Sequence, residues 1–383
     1  MLRLADLLEK RLRSNGIDVL VIRPEPFFGR FVRRWRSLHK WLGYLDKFVL
    51  FPFRLVIHAR KSLLVHIVDH SNALYYLCLA GKKSIVTCND LLAVRSALGE
   101  FHEHKTGMTG KLLQYLILRG LRKSTHIACI SQATSADVLR LTGRPEKSVS
   151  CIYLGLEPIF ESSLASCRNG GSAGAARLSD STELVEGSPK SSPYQEIFRR
   201  VATGRASRLW VPKRYILHVG GEVWYKNRPG VLRIYGEIRK RLGSESPDLL
   251  MVGPPVRTPA EGVHFFSCVT DAELAELYRN AALLLFPSFY EGFGWPVLEA
   301  QACGCPAVIT GAPPLTEAGG SAAVWIMNPR DIGAAADQVI GVLRESPAAR
   351  KERVLAGYEN AGRFSLDRMI AKYLELYASI LRT

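Results

Sequence analysis

From residue 215 onward, short apolar runs alternate with amphipathic stretches. The runs are Tyr215-Ile-Leu-His-Val219, Leu249-Leu-Met-Val252, Val263-His-Phe-Phe266, Ala282-Leu-Leu-Leu-Phe286, Ala307-Val-Ile309 and Ala323-Val-Trp-Ile326. Each is about the length of a buried strand. Between most of them, apolar positions recur with helical spacing, over about 229–242, 271–281, 296–303 and 331–345. Strands joined through helices run parallel, because a tight hairpin cannot return the chain in the same direction. The pattern predicts an α/β domain, a parallel sheet with helices on both faces. Ligands of such sheets sit beyond the C-terminal ends of the strands. Gly220-Gly221 and Glu291-Gly292 both fall there.

The first 160 residues are less regular. Strands are predicted at Asp18-Val-Leu-Val-Ile22, Leu64-Val-His-Ile-Val68, Ser84-Ile-Val-Thr-Cys88, His126-Ile-Ala-Cys-Ile130 and Val149-Ser-Cys-Ile-Tyr153. A helix is predicted from Thr134-Ser135 to Leu141, capped by a hydroxyl. Leu2 to Ser14 reads as an amphipathic helix, and Asp367 to Leu381 as a terminal one. A second doubly wound domain follows from this order. Between the two halves, residues 162–192 turn rich in Ser, Gly and Ala and poor in large apolar residues, the composition of a flexible linker or surface insertion. The expected organisation is therefore residues 1–160, a linker over 161–203, and residues 204–383, with the terminal helix packing back toward the domain junction.

Two segments carry chemistry. Glu291-Gly-Phe-Gly-Trp-Pro-Val-Leu-Glu299 follows an apolar run and Pro287-Ser288. Its two carboxylates bracket a glycine turn, and Pro296 stands where a helix begins. Amides after that proline, on Val297 and Leu298, are expected to lack helical partners and to suit a diphosphate. Glu299 in the first turn would accept hydrogen bonds from ligand hydroxyls, and Glu291 would lie nearer the ligand's far end. A sugar nucleotide has these parts: diol, diphosphate and sugar. Gly220-Gly-Glu-Val-Trp-Tyr-Lys226-Asn227-Arg228 likewise links a strand to a helix. Its glycines allow close backbone approach to phosphate, Lys226 offers a point charge, and Arg228 a planar fork.

The string from Glu291 through Ala300-Gln-Ala-Cys-Gly-Cys-Pro-Ala-Val308 resembles the E-x7-E signature of retaining glycosyltransferases of the GT-B family 4. The resemblance implies two Rossmann-like domains facing across a cleft. It implies that Glu299 binds ribose hydroxyls and that Glu291 faces the donor sugar. Gly292, Phe293, Gly294, Val297 and Leu298 would hold sugar and phosphate, and Lys226, with Gly220 and Gly221, the diphosphate. Gly221 stands where the family often has arginine, with Arg228 as a possible compensation. Thr87-Cys-Asn89-Asp90 resembles a family segment that commonly carries His-Asp. Asn89 replaces that histidine, and His70 is the candidate substitute for proton transfer. Ser131 matches a family position at the cleft, and Glu317 one after the next strand. Relatives of this kind usually open with a strand and a glycine turn; neither is present, so the recorded start is expected to fall inside the domain.

Composition narrows the reading. The chain has 383 residues, 47% apolar and 22% charged, which suits about two packed domains. The eight cysteines include no C-x-x-C, no D-x-D occurs, and neither metal nor cofactor is expected. No window suits a membrane span. The net charge of +16 is uneven: residues 1–155 hold 25 basic and 11 acidic residues. Cations and aromatics interleave over residues 30–54, a composition suited to an anionic membrane surface. The family resemblance implies retaining transfer of a hexose from a GDP- or UDP-sugar to a glycan or lipid-linked acceptor, with mannose from GDP-mannose as first choice because the Tyr225–Arg228 loop resembles that of mannosyltransferase-like members. The expected location is cytoplasmic, on the inner membrane face. The rivals are a nucleotide-sugar binder that has lost catalysis, a basic nucleic-acid-binding protein and, more weakly, an epimerase.

Overall fold

The computed structural model describes residues 2–24, 42, 46–79, 81–168, 194–200, 206–255 and 260–382. The chain divides into two compact units, one of residues 1–153 and 367–383, the other of residues 154–366. Each contains a parallel sheet with helical connections.

In the first unit, β1 (Val65–Ile67), β2 (Ser84–Cys88), β3 (His126–Cys129) and β4 (Val149–Cys151) lie side by side in chain order. All three pairings are parallel. β2 and β3 are buried along their whole length. That is why they read as continuous apolar runs rather than alternating ones. Helices α1 (Leu2–Ser14), α2 (Phe51–Lys61), α3 (Leu92–Ala97), α4 (Met108–Lys123) and α5 (Gln132–Thr142) surround the sheet. The predicted strand at Asp18–Ile22 does not form. Ile22 packs on the core, but Leu20 is 67% exposed and among the described residues no neighbouring backbone pairs with the run. An apolar run becomes a strand only where a ladder accepts its amides. The predicted helix at Thr134 begins at Gln132 instead, because the buried Ser131 hydroxyl accepts from the Thr134 amide and caps it.

In the second unit, α6 (Pro158–Arg168) comes first, and β5 (Tyr194–Arg200) pairs antiparallel with β6 (Ala206–Pro212). The segment 161–203 read as a linker thus includes part of α6 and all of β5; residues 169–193 and 201–205 lie outside the described residues. The main sheet comprises β7 (Tyr215–Val219), β8 (Asp248–Val252), β9 (Val263–Phe266), β10 (Leu283–Phe286), β11 (Ala307–Thr310) and β12 (Val324–Ile326). Their spatial order is β12-β11-β10-β7-β8-β9, all parallel. The chain builds outward from β7 through β9, then returns to the other side of β7 with β10. The order therefore reverses between β7 and β10, and a crevice opens at such a reversal. Helices α7 (Arg228–Leu242), α8 (Asp271–Asn280), α9 (Trp295–Ala302), α10 (Leu315–Gly319), α11 (Ile332–Leu343) and α12 (Pro347–Ala361) complete the unit. One core joins Ile216, Leu249, Leu283 and Val308 of the strands to Val231 and Ile234 of α7 and Ala336 and Val339 of α11.

The last helix, α13 (Leu366–Arg382), groups from Asp367 onward with the first unit. His66 of β1 bridges the Tyr377 hydroxyl and the Thr87 hydroxyl, each at 2.8 Å. Thr87 in turn meets the Tyr373 hydroxyl at 3.0 Å. These side chains tie the helix to β1 and β2.

Candidate active site

The two glycine-bearing segments follow the two strands that flank the reversal, β7 and β10. Backbone and side chain join them. The Phe289 amide donates to the Tyr225 carbonyl at 2.7 Å, and Asn227 Nδ2 donates to the Pro287 carbonyl at 3.0 Å. Asn227 sits in the left-handed region, at φ 51° and ψ 37°, which turns its amide toward β10. The side chain then lies across the first turn of α7. A Cβ at Gly230 would fall 2.3 Å from Asn227 Oδ1, so a side chain here would push Asn227 off its bond to Pro287.

This stitching sets Lys226 opposite Glu291. The ammonium donates to both carboxylate oxygens, at 2.7 and 2.9 Å, and lies 4.9 Å from the Phe286 ring centroid. The Glu291 side chain is 8% exposed and that of Lys226 17%. A cation at the reversal thus stands at a strand end next to the glycine turn, with a carboxylate in its grip.

Arg228 is turned another way. One guanidinium nitrogen donates to the Gly220 carbonyl at 2.6 Å and the other to the Pro254 carbonyl. Its fork joins the loops after β7 and β8 and shapes them, in place of the phosphate contact read from sequence. Gly221 has open space around it.

Gly294 caps α9 at φ 125°, a conformation that L side chains rarely adopt. The amides of Val297 and Leu298 both reach back to the Gly294 carbonyl, at 3.0 and 3.4 Å. The cap carbonyl is the ordinary first acceptor of an α-helix, so these two amides are not the unsatisfied donors expected. The amides of Gly294 and Trp295, with no acceptor among the described residues, take that place at the helix start. One turn further on, Glu299 is buried and accepts from the Tyr278 hydroxyl at 3.1 Å. Burial, reinforced by the Glu299 charge, holds the Tyr278 pKa well above its ordinary value, so the hydroxyl remains a donor.

Sequence reasoning missed His218. It is fully buried in β7, and its Nδ1 pairs with the Leu285 carbonyl at 3.0 Å. A carbonyl only accepts, so Nδ1 carries the proton and Nε2 the lone pair. Nε2 has no partner among the described residues and lies 3.0 Å from where a Gly220 Cβ would stand. The buried Ser288 and Thr310 hydroxyls, at the ends of β10 and β11, are also unpartnered. A histidine inside an otherwise apolar run, two residues before a glycine pair, was the available signal.

Burial lowers the His218 pKa to about 4, against about 6.5 in an unfolded chain. Between those values the unfolded state binds more protons. The stability tied to a neutral His218 is present above pH 6.5 and is lost as pH falls toward 4, by up to ~1.4 kcal/mol per pH unit. Urea unfolding at pH 7 and pH 5 checks this. His218→Asn, which can keep the bond to Leu285, is expected to flatten the profile; an unchanged slope would assign the acid sensitivity elsewhere.

The candidate residues of the first unit also gather. Asn89 follows β2, is 2% exposed, and leaves both polar atoms of its side-chain amide unpartnered among the described residues. Its backbone amide donates to His70 Nδ1 at 3.4 Å, and its carbonyl accepts from the Thr134 hydroxyl at 3.4 Å. Ser131 donates to that same hydroxyl at 2.8 Å. His70, Asn89 and Ser131 are therefore neighbours, with Thr134 the link that the motif reading lacked. Glu317 lies in α10.

Comparison with known proteins agrees with this geometry. Residues 213–345 match the family described as "Glycosyl transferases group 1", and residues 3–158 match "Glycosyltransferase Family 4". The O-antigen chain mannosyltransferase B of Escherichia coli is 31% identical over 115 residues, 30% of each chain. A D-inositol 3-phosphate glycosyltransferase of Mycolicibacterium smegmatis is 32% identical over 151 residues, 38% of this chain and 34% of that one. The chain thus spans about a third of the length of these curated relatives. Among solved structures, Anabaena HepE in complex with UDP and glucose superposes with a TM-score of 0.61 at 13% identity, covering 97% of this chain and 89% of that one. Sucrose-phosphate synthase from Thermosynechococcus elongatus gives 0.61 at 16% identity, over 87% and 77%. At these identities the likeness speaks to fold alone, and that fold is GT-B. With matched segments in both units, parallel sheets throughout and the bracketed glycine turn at the strand reversal, the chain belongs to the group 1, family 4 glycosyltransferases.

Proposed function

We propose that this protein transfers a hexose from a nucleotide sugar to a hydroxyl of a glycan or lipid-linked saccharide, with retention at the anomeric carbon. The observation that carries the reading is Lys226 paired with Glu291 at the β7–β10 reversal. As the glycosidic bond breaks, negative charge gathers on the leaving diphosphate. Lys226 and the amides of Gly294 and Trp295 are suited to offset it. Glu291 then exchanges the ammonium for hydroxyls of the donor sugar, and Glu299 receives those of the ribose. A donor phosphate oxygen takes the acceptor proton on the face where the new bond forms, so no protein nucleophile is required. His70 and Asn89 are assigned to sugar hydroxyls. Lys226 supplies the positive charge a divalent ion would otherwise bring, so the reaction is expected to be metal-independent.

Mannose from GDP-mannose is the first donor to test, on the likeness to the Escherichia coli mannosyltransferase. The HepE complex with UDP and glucose makes UDP-glucose the second. No helix among the described residues is long and apolar enough to cross a membrane. The proposed workplace is the cytoplasmic membrane face, where a lipid-linked acceptor meets a water-soluble donor.

The test is a thermal-shift panel of GDP-, UDP- and ADP-sugars, followed by an acceptor assay with and without EDTA, with product anomers read by NMR. One nucleotide is expected to stabilise the protein selectively, and transfer to survive EDTA. Stabilisation without transfer to any acceptor would favour the impaired binder, for which Asn89 in place of a proton-shuttling histidine is the specific motive. No stabilisation by any nucleotide would overturn the reading.

A further inference from the structure

Helix α4 presents an outer face that the catalytic reading does not use. Met108, Leu112 and Tyr115 are 82%, 61% and 55% exposed. Their spacing of four and three residues puts them on one stripe. The stripe continues through the exposed Arg119 and Arg122 and is flanked by the exposed Lys111 and Lys123. None of the 16 residues of the helix is acidic. The opposite face is fixed: Ile117, Leu118, Gly120 and Leu121 are buried, and a Cβ at Gly120 would fall 2.1 Å from the Ala73 carbonyl oxygen. The exposed stripe therefore cannot roll inward to hide its apolar side chains.

We propose that α4 docks this stripe on an anionic lipid surface. The chemistry selects that partner. A bilayer interface takes aliphatic and aromatic side chains below the headgroups and cations among them, and tolerates no acid in between. A nucleic acid would use the cations but leave Met108 and Leu112 without a role. The field agrees, since residues 1–155 hold 25 basic and 11 acidic residues. Helix α2 repeats the pattern, with Phe53 and Ile57 exposed at 68% and 45% beside Arg54, Arg60 and Lys61, and again no acidic residue. Of the segment 30–54 read from sequence as the membrane contact, residues 30–41 and 43–45 lie outside the described residues; Phe53 and Arg54 of α2 belong to that segment, and α4 extends the expectation to new positions. The proposal does not depend on the transfer reaction, and its test needs no donor.

The experiment is co-sedimentation of the full chain with vesicles of phosphatidylcholine alone or mixed equally with phosphatidylglycerol, at low and high salt. Binding is expected to the mixed vesicles only, weakening with salt. The pair Leu112→Glu and Tyr115→Glu, and separately Arg119→Glu and Arg122→Glu, should each lower it by about tenfold or more. Leu112, Tyr115 and Arg119 are exposed, so thermal unfolding of the first pair and of Arg119→Glu alone should match wild type, which separates docking from folding; Arg122 also donates to the Leu141 carbonyl at 2.9 Å, so the second pair is read beside Arg119→Glu alone. Phe53→Glu with Ile57→Glu reports on α2 alone. Equal binding to neutral vesicles, no binding to either, or anionic binding unmoved by both α4 pairs would overturn the proposal. Retention on RNA with none on vesicles would do so in favour of the nucleic-acid reading.

Discussion

Lys226→Ala is expected to lower kcat by about 10²–10³-fold, the loss that follows removal of one preorganised group from a developing negative charge. The ammonium is anchored by Glu291 on one side and rests over the Phe286 ring, so it needs little reorganisation to meet a diphosphate. The same change leaves the Glu291 carboxylate, 8% exposed, without this partner. That costs stability as well, on the order of 1–3 kcal/mol. The two effects separate in the double variant. Lys226→Ala with Glu291→Gln removes the stranded charge, so its melting temperature should recover part of the loss while transfer stays low. Lys226→Arg restores charge, but its fork does not match a site built for a point donor, so only partial recovery is expected. Steady-state kinetics with the donor found in the panel, beside thermal unfolding, reads both quantities. Activity of Lys226→Ala within a few-fold of wild type would show that the ion pair only braces the loop.

What the sequence made legible was what short-range pattern encodes. The inner strands β7, β8, β10 and β11 are largely buried, so each appears as a mostly apolar run, and the glycines between strand and helix mark where a ligand can approach. Lys226 and Glu291 were both named, but their contact was not. They are 65 residues apart, and only the parallel pairing of β7 with β10 brings them together. Asp18–Ile22 failed for the converse reason. Its pattern is that of a strand, but a strand is a property of a pair, and no partner backbone meets it. Val297 and Leu298 lie too far into the helix to be free donors: with Gly294 as the cap, its carbonyl accepts the first helical bonds from them, as in any helix start. Arg228 was read for its charge, whereas its burial and the carbonyls of Gly220 and Pro254 give it a part in holding the loop. His218 and Ser288 escaped because an orphaned polar atom is visible only once its surroundings are known.

Glu299 offers the second large effect, and the one best able to divide function from structure. Glu299→Ala is expected to weaken nucleotide-sugar binding by about 10–100-fold, since a hydrogen bond to a charged acceptor contributes roughly 1.5–3 kcal/mol. Alanine also strips the Tyr278 hydroxyl of its acceptor. That hydroxyl is fully buried, so this variant should melt lower whatever Glu299 does for a ligand. Glu299→Gln resolves the ambiguity. Its carbonyl oxygen still accepts from Tyr278, so stability should stay near wild type, while the lost charge weakens the bonds to ribose hydroxyls and donor affinity falls. Tyr278→Phe makes the reverse cut: the carboxylate stays, its orientation loosens, and affinity should drop only a few-fold. Titration of the nucleotide sugar by calorimetry, with thermal unfolding alongside, measures all three. Wild-type affinity in Glu299→Gln would mean that the second carboxylate of the bracket serves the fold and not the ribose, whose partner would then have to be sought among the Ser288 and Thr310 hydroxyls, unpartnered among the described residues.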